Sequence, residues 1–282
     1  MKSNPYARLM RLDKPIGILL LWFPTAFALW IANEGKPSFY LVLYFLLGTI
    51  VMRSAGCVVN DLADRHVDKH VRRTAQRPLT TGEVSVTRAI LLFIMLLFIA
   101  FFIVIQLPLH CFYYALVGLS VTILYPFCKR YIQAPQLVLS LAFSVSIPMV
   151  YTASAVDLNS DTLLLLVINM LWVVAYDTMY AMVDREDDFR LGVKSTAVLL
   201  GAHDRWIIGA LQAVMHGLWL IIAYKLHVHE WFYLGWTAGA LVLTYQQYLI
   251  TGRDPKDCFK AFQWSAVYGL VMCVGWLEAL VP

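Results

Sequence analysis

Two stretches of this chain place acids at spacings that suit a divalent cation. The first is "NDLADRHVDKHVRRTAQRPL", in which Asn60, Asp64 and Asp68 fall at i, i+4 and i+8, with Asp61 beside Asn60. On a helix continuing through them, the three share one face. The second is "YDTMYAMVDREDDFRLGVKS", in which Asp177, Asp184 and Asp188 fall at i, i+7 and i+11. Both contain D-R-x-x-D, at 64–68 and 184–188. Like charges one helical turn apart repel, and a cation between them removes the repulsion. Carboxylate oxygens are hard ligands that suit Mg2+, an ion that keeps several waters and commonly bridges one or two carboxylates to substrate phosphates. Two such faces across a cavity predict a Mg2+–diphosphate site. Asn60, Asp64 and Asp68 would hold one part of it and Asp184 and Asp188 the other, with Asp61 and Asp177 as helpers. Asp187 lies off the Asp184/Asp188 face by about 100°. The bases nearby, Arg72, Arg73, Arg77 and Lys194, suit diphosphate oxygens.

Acid–base runs at membrane surfaces are ordinarily solvated ion pairs. Recurrence of the same pattern on one side of a membrane would argue against that reading, so the topology decides. The chain has 282 residues, 60% of them hydrophobic and only 14% charged, against about 25% charged in soluble domains. Its mean hydropathy is +0.68. It reads as an all-α, polytopic membrane protein. Nine spans are expected: 16–33, 39–60, 86–106, 109–127, 134–152, 162–183, 205–225, 230–250 and 260–280.

Lys and Arg set the orientation. Lys2, Arg8, Arg11 and Lys14 precede the first span, and the loops after spans two, four, six and eight hold almost all the others. Only Lys36 and Lys225 fall on the opposite side, and Arg53 lies within a span. The N-terminus is therefore expected in the cytoplasm, with both acidic clusters on that face. The net charge of +4 follows from this asymmetry, and no basic tail or nucleic-acid-binding fingerprint accompanies it. The five cysteines are scattered without a C-x-x-C pair, so neither a zinc site nor a disulfide framework is suggested. His66 and His70 lie off the aspartate face, and "GVKS" at 192–195 lacks the glycine and loop of a P-loop. An ion-coupled transporter is the rival class, but such acids belong at the midplane rather than at span ends.

N-D-x-x-D-x-x-x-D at 60–68, followed by "RRTAQRPL", resembles the first motif of the UbiA intramembrane prenyltransferases. "DTMYAMVDREDD" followed by "GVKSTA" resembles their second. "LDKPIGILLLWFPTAFALW" (12–30) and "YPFCKRY" (125–131) resemble the bacterial 4-hydroxybenzoate polyprenyltransferases of ubiquinone biosynthesis in particular. In the last span, "CFKAFQWSAVYG" departs from the Asn-rich stretch expected of the family.

The resemblance implies a single domain over 1–282, a bundle of about nine helices around a central cavity open to the cytoplasmic side. Cap loops at 69–85 and 189–204 would cover it, in the inner membrane of a bacterium. It implies Mg2+-dependent transfer of a polyprenyl chain from polyprenyl diphosphate to 4-hydroxybenzoate, with the lipid bilayer as the surroundings and no obligate protein partner. The allylic cation of such a reaction needs an electron-rich pocket, for which Tyr125 and Tyr180 are candidates. The acceptor carboxylate needs a cation. Arg53 is one candidate, because it sits about 10 Å inside the helix end, where a charge is costly without a purpose. Arg130 is the other and is favoured by the resemblance. Lys129 and Arg130 would otherwise be interfacial anchors.

Overall fold

The computed structural model describes residues 4–280. Lys2, counted in the charge asymmetry, lies outside them. Every expected span is a helix or a pair of helices, as backbone in lipid requires internal hydrogen bonding. After a short α1 (Pro5–Leu9) come α2 (Ile16–Ala32), α3 (Phe39–Asp64), α4 (Val86–Val104) and α5 (Leu109–Tyr131). The fifth span is broken into α6 (Pro135–Ser144) and α7 (Ser146–Ala153). Then follow α8 (Ser160–Val183), two short helices α9 (Arg185–Leu191) and α10 (Thr196–Leu200), and α11 (Asp204–Lys225), α12 (Trp231–Leu249) and α13 (Pro255–Leu280). No strand occurs among the described residues.

Local chemistry sets the ends. Ser38 and Ser85 accept backbone hydrogen bonds from Leu41 and Arg88 at the starts of α3 and α4. Asn159 and Thr162 form a reciprocal capping box at the start of α8. The α6–α7 break lies where Pro148 has no N–H to offer the Ser144 carbonyl. Six of the spans are long and apolar enough to cross a bilayer by length and hydropathy alone. The α2 helix is shorter, and α12 and α13 dilute their aliphatic residues with Trp, Tyr, Gln and charged residues. The chain is a multi-pass membrane protein.

One apolar core joins α2, α7, α8, α11, α12 and α13. The backbones of α12 and α13 meet closely, since a Cβ on Gly235 would lie 2.8 Å from the Cα of Gly275. The α4 and α5 helices turn large apolar side chains outward, among them Leu91, Phe98 and Val117. A second, smaller core gathers Leu9, Val58, Leu79, Val84 and Leu92, tying α1 and the segment after α3 to the ends of α3 and α4.

Two expectations are corrected. Asn60, Asp64 and Asp68 do not lie on one continuing helix, because α3 ends at Asp64. The chain makes one further helical turn, with the Asp68 N–H donating to the Asp64 carbonyl at 2.9 Å, and then proceeds through turns. Likewise α8 stops before Asp184, so Asp177 and Asp188 belong to different helices.

Candidate active site

Despite those breaks, the motif acids meet. Asn60 and Asp64 from α3, Asp68 from the following turn, Asp177 from α8, Asp184 at its end and Asp188 from α9 all line one cavity of about 750 Å3. Arg53, Arg73, Arg77, Tyr125, Lys129, Arg130, Tyr180 and Lys194 line it as well.

Cross-links between distant segments fix the acids. Lys129 Nζ, at the end of α5, donates to Asp64 Oδ2 at 2.7 Å and to Asn60 Oδ1 at 3.2 Å. Arg77 donates to Asp68 Oδ2 at 2.7 Å and to Asp61 Oδ1 at 2.9 Å. Arg73 grips both oxygens of Asp184 through Nε, each at 3.0 Å. Its guanidinium carbon lies 4.5 Å from the centre of the Tyr180 ring. Lys194 donates to the carbonyl of Tyr131, and its N–H to that of Lys129. Arg130 donates to the Ala63 carbonyl at 3.1 Å, at the rim.

Arg53 sits deeper, and its Nε is buried without a hydrogen-bond partner. Its guanidinium carbon lies 5.7 Å from the Phe143 ring centre. An orphaned buried donor of this kind is costly unless a ligand satisfies it.

Two residues, Arg72 and Asp61, sit differently from expectation. Arg72 is exposed and does not line the cavity, and only its backbone N–H reaches across, to Asp187 Oδ2 at 3.2 Å. Asp187 itself is off the cavity. Asp61 lines the cavity but is 1% exposed and locked into ion pairs with Arg77 and Arg11. Arg11 holds both carboxylate oxygens, at 2.8 and 2.9 Å, from a left-handed backbone with φ of 59°. Sequence spacing gave no sign of Arg11, which stands fifty positions from its partner.

Among the described residues, no three acid, His or Cys groups converge enough to hold a metal ion by themselves. The donor set nevertheless fits Mg2+: it is all carboxylate and amide oxygen, spread around one cavity, as suits an ion completed by waters and phosphate oxygens. Electrostatics agree. Burial pushes the Asp188 carboxyl up to about 7, and the charge of Asp184 adds to it. Burial also raises Asp68, with Arg77 opposing and Asp61 and Asp64 reinforcing the rise. Neighbouring carboxylates that resist ionisation are those a cation stabilises.

The far part of the cavity is apolar, walled by residues such as Leu97, Val104, Phe112 and Leu119. Phe101 and Leu116 also line it and are partly exposed.

Comparison with known proteins places this architecture. The chain is 57% identical over 269 residues to a 4-hydroxybenzoate octaprenyltransferase of Legionella pneumophila (strain Lens), covering 95% of each chain. It is 47% identical over 270 residues to the enzyme of the same name from Coxiella burnetii (strain CbuK_Q154), covering 96% of this chain and 94% of the other. The fold is shared with a UbiA homologue from Aeropyrum pernix K1, with TM-score 0.80, 22% identity and coverage of 92% and 96%. It is shared also with one from Archaeoglobus fulgidus bound to GPP and Mg2+, with TM-score 0.71, 18% identity and coverage of 95% and 99%. The model of the UbiA prenyltransferase family matches residues 21–267, nearly the whole chain, and the protein belongs to that family.

Proposed function

We propose that the protein transfers the polyprenyl group of a polyprenyl diphosphate, of octaprenyl length as its relatives' name has it, to 4-hydroxybenzoate. The C1–O bond of the donor breaks, a bond forms to the ring carbon ortho to the hydroxyl, and diphosphate and the ring proton leave. The product, a 3-polyprenyl-4-hydroxybenzoate, serves ubiquinone biosynthesis. The observation that carries this reading is the convergence of Asp64, Asp68, Asp184 and Asp188 on one cavity that is basic at its mouth and apolar beyond.

In this reading Asn60, Asp64, Asp68, Asp184 and Asp188 hold Mg2+, and Asp177 supports them. When bound, Mg2+ neutralises the diphosphate and makes it a leaving group. Arg73, Arg77, Lys129 and Lys194 supply donors to its remaining oxygens. Asp61 acts through Arg77, fixing that guanidinium beside Asp68. The Tyr180 ring faces the allylic carbon as positive charge develops. The apolar walls seat the prenyl tail and keep water from the cation. Arg53 rather than Arg130 takes the acceptor carboxylate, because its buried Nε lacks a partner while Arg130 caps a carbonyl at the rim.

All of 1–282 forms one membrane-embedded unit, with 69–85 and 189–204 closing the acidic end. That end faces the cytoplasm, the N-terminus with it, in the bacterial inner membrane. The test incubates membranes containing the protein with labelled 4-hydroxybenzoate and octaprenyl diphosphate, with Mg2+ or with EDTA. Mg2+-dependent passage of label into a lipid-extractable product is expected. No product from folded protein rejects this donor–acceptor pair.

A further inference from the structure

The D-R-x-x-D pattern contains an arginine in each motif, and the two are used differently. Arg65 donates only to the Leu62 carbonyl of its own turn. Arg185 instead reaches Asp204, the first residue of α11, and the Gly201 carbonyl at 3.1 Å. Asp204 is 0% exposed. From its other side Arg253, in the α12–α13 loop, donates to it through Nε at 3.1 and 3.2 Å and through a terminal nitrogen at 2.8 Å. Arg253 also donates to the Ala202 carbonyl at 2.7 Å. One buried carboxylate thus joins the α8–α9 junction, the start of α11 and the α12–α13 loop.

The α9 helix, which carries Asp188, buries none of its residues. No apolar contact into the core fixes it. It is held by polar contacts: Arg73 on Asp184 at its N-cap, Arg185 at the start, the backbone N–H of Arg72 on Asp187 within it, and Lys194 beyond Gly192 at the finish. Residue 184 precedes Arg185 directly, so Arg185 helps to fix where Asp184 and Asp188 point, alongside Arg73, which grips the Asp184 carboxylate. We propose that Asp204 is a positioning residue for the second acidic motif: it anchors Arg185, and Arg253 anchors it. This rests on the reading that Asp184 and Asp188 hold the Mg2+–diphosphate. Outer groups that orient ligands in this way change metal affinity by about 10- to 100-fold.

Full-length protein in detergent tests it with two readouts, hydrogen exchange of the 184–194 backbone and Mn2+ binding followed by EPR. Asp204→Asn and Arg185→Lys should each speed exchange across 184–194, leave the middle of α8 protected and weaken Mn2+ binding about tenfold. The double variant should be no worse than Asp204→Asn alone, because Arg185→Lys disturbs a contact that Asp204→Asn has already broken, whereas Asp204→Asn also loses Arg253. A folded Asp204→Asn protein with wild-type Mn2+ affinity overturns the proposal, whether or not its exchange changes. Arg185→Lys keeps the charge but loses the fork, and it reads the same contact if Asp204→Asn does not fold. Asp184→Ala separates the two claims. Mn2+ binding that survives Asp184→Ala defeats the reading of the site. Binding lost in Asp184→Ala but intact in Asp204→Asn defeats the anchoring role alone.

Discussion

Arg53 lies against the bare Cα of Gly17: a Cβ built on that glycine would stand 2.4 Å from Arg53 Nε and 2.5 Å from a terminal nitrogen. The first span therefore leaves room for a guanidinium of the second. Gly17→Ala should push it aside at little cost to stability, since the clash is with the end of a flexible side chain. If Arg53 meets the acceptor carboxylate, Gly17→Ala raises the KM for 4-hydroxybenzoate and leaves that for the prenyl diphosphate alone. Steady-state kinetics with each substrate varied in turn decide it.

Arg53→Gln should act in the same direction more strongly. Losing a charge-assisted hydrogen bond costs about 1.5–3 kcal/mol, or roughly 10- to 100-fold in acceptor KM. Arg130→Gln should change the acceptor KM less than Arg53→Gln does. The reverse order would reassign the carboxylate to Arg130.

Asp64→Ala and Asp184→Ala should each lower turnover by about 100-fold or more, on the scale of losing one electrostatic stabiliser of the transition state. Both variants should still accumulate in the membrane. Near-normal turnover in either would remove that residue from the metal site.

The raised carboxyls give a pH signature. The Asp188 carboxyl keeps its proton to about 7 in the folded chain and releases it near 3.8 when unfolded. Between those values the folded state binds more protons, so without a cation stability falls as pH rises through the window. Mg2+ favours the ionised form and restores what is lost. The Mg2+-induced rise in Tm should thus be larger at about pH 8 than at about pH 5.5. An equal rise at both would mean that Asp188 does not meet the ion.

The spans were readable because each needs a long apolar run, and that signal is local. Their ends were less so. Hydropathy stops α3 near Asn60, yet the helix runs on to Asp64, carried by Lys129 reaching Asn60 and Asp64 from another helix. The break at Val145 is one missing hydrogen bond inside an otherwise apolar run. Periodicity put Asp68 and Asp188 on the right side of the chain even though neither sits on the helix assumed. The pairing of Asp61 with Arg11 left no trace in spacing, since a contact between segments fifty residues apart has no period. Arg73 was indistinguishable from Arg72 until the turns after α3 were seen to aim one at Tyr180 and the other outward.

The way the ring of helices closes bears on how the protein is made. The α13 helix packs on α2 as well as on α8 and α12, and Gly269 lies so near Phe23 that a Cβ would stand 2.3 Å from its ring. The α2 helix thus meets one of its main neighbours only in α13, roughly 240 residues further along the chain. Until residues beyond 255 are synthesised, Phe23 has Trp172 of α8, with 6.3 Å between ring centres, but lacks the wall that α13 supplies. The two acidic motifs, by contrast, can meet once about 200 residues are in place. The site is therefore assembled before the wall behind it is sealed, and a chain halted in between would carry its acids in a bundle still open on one flank.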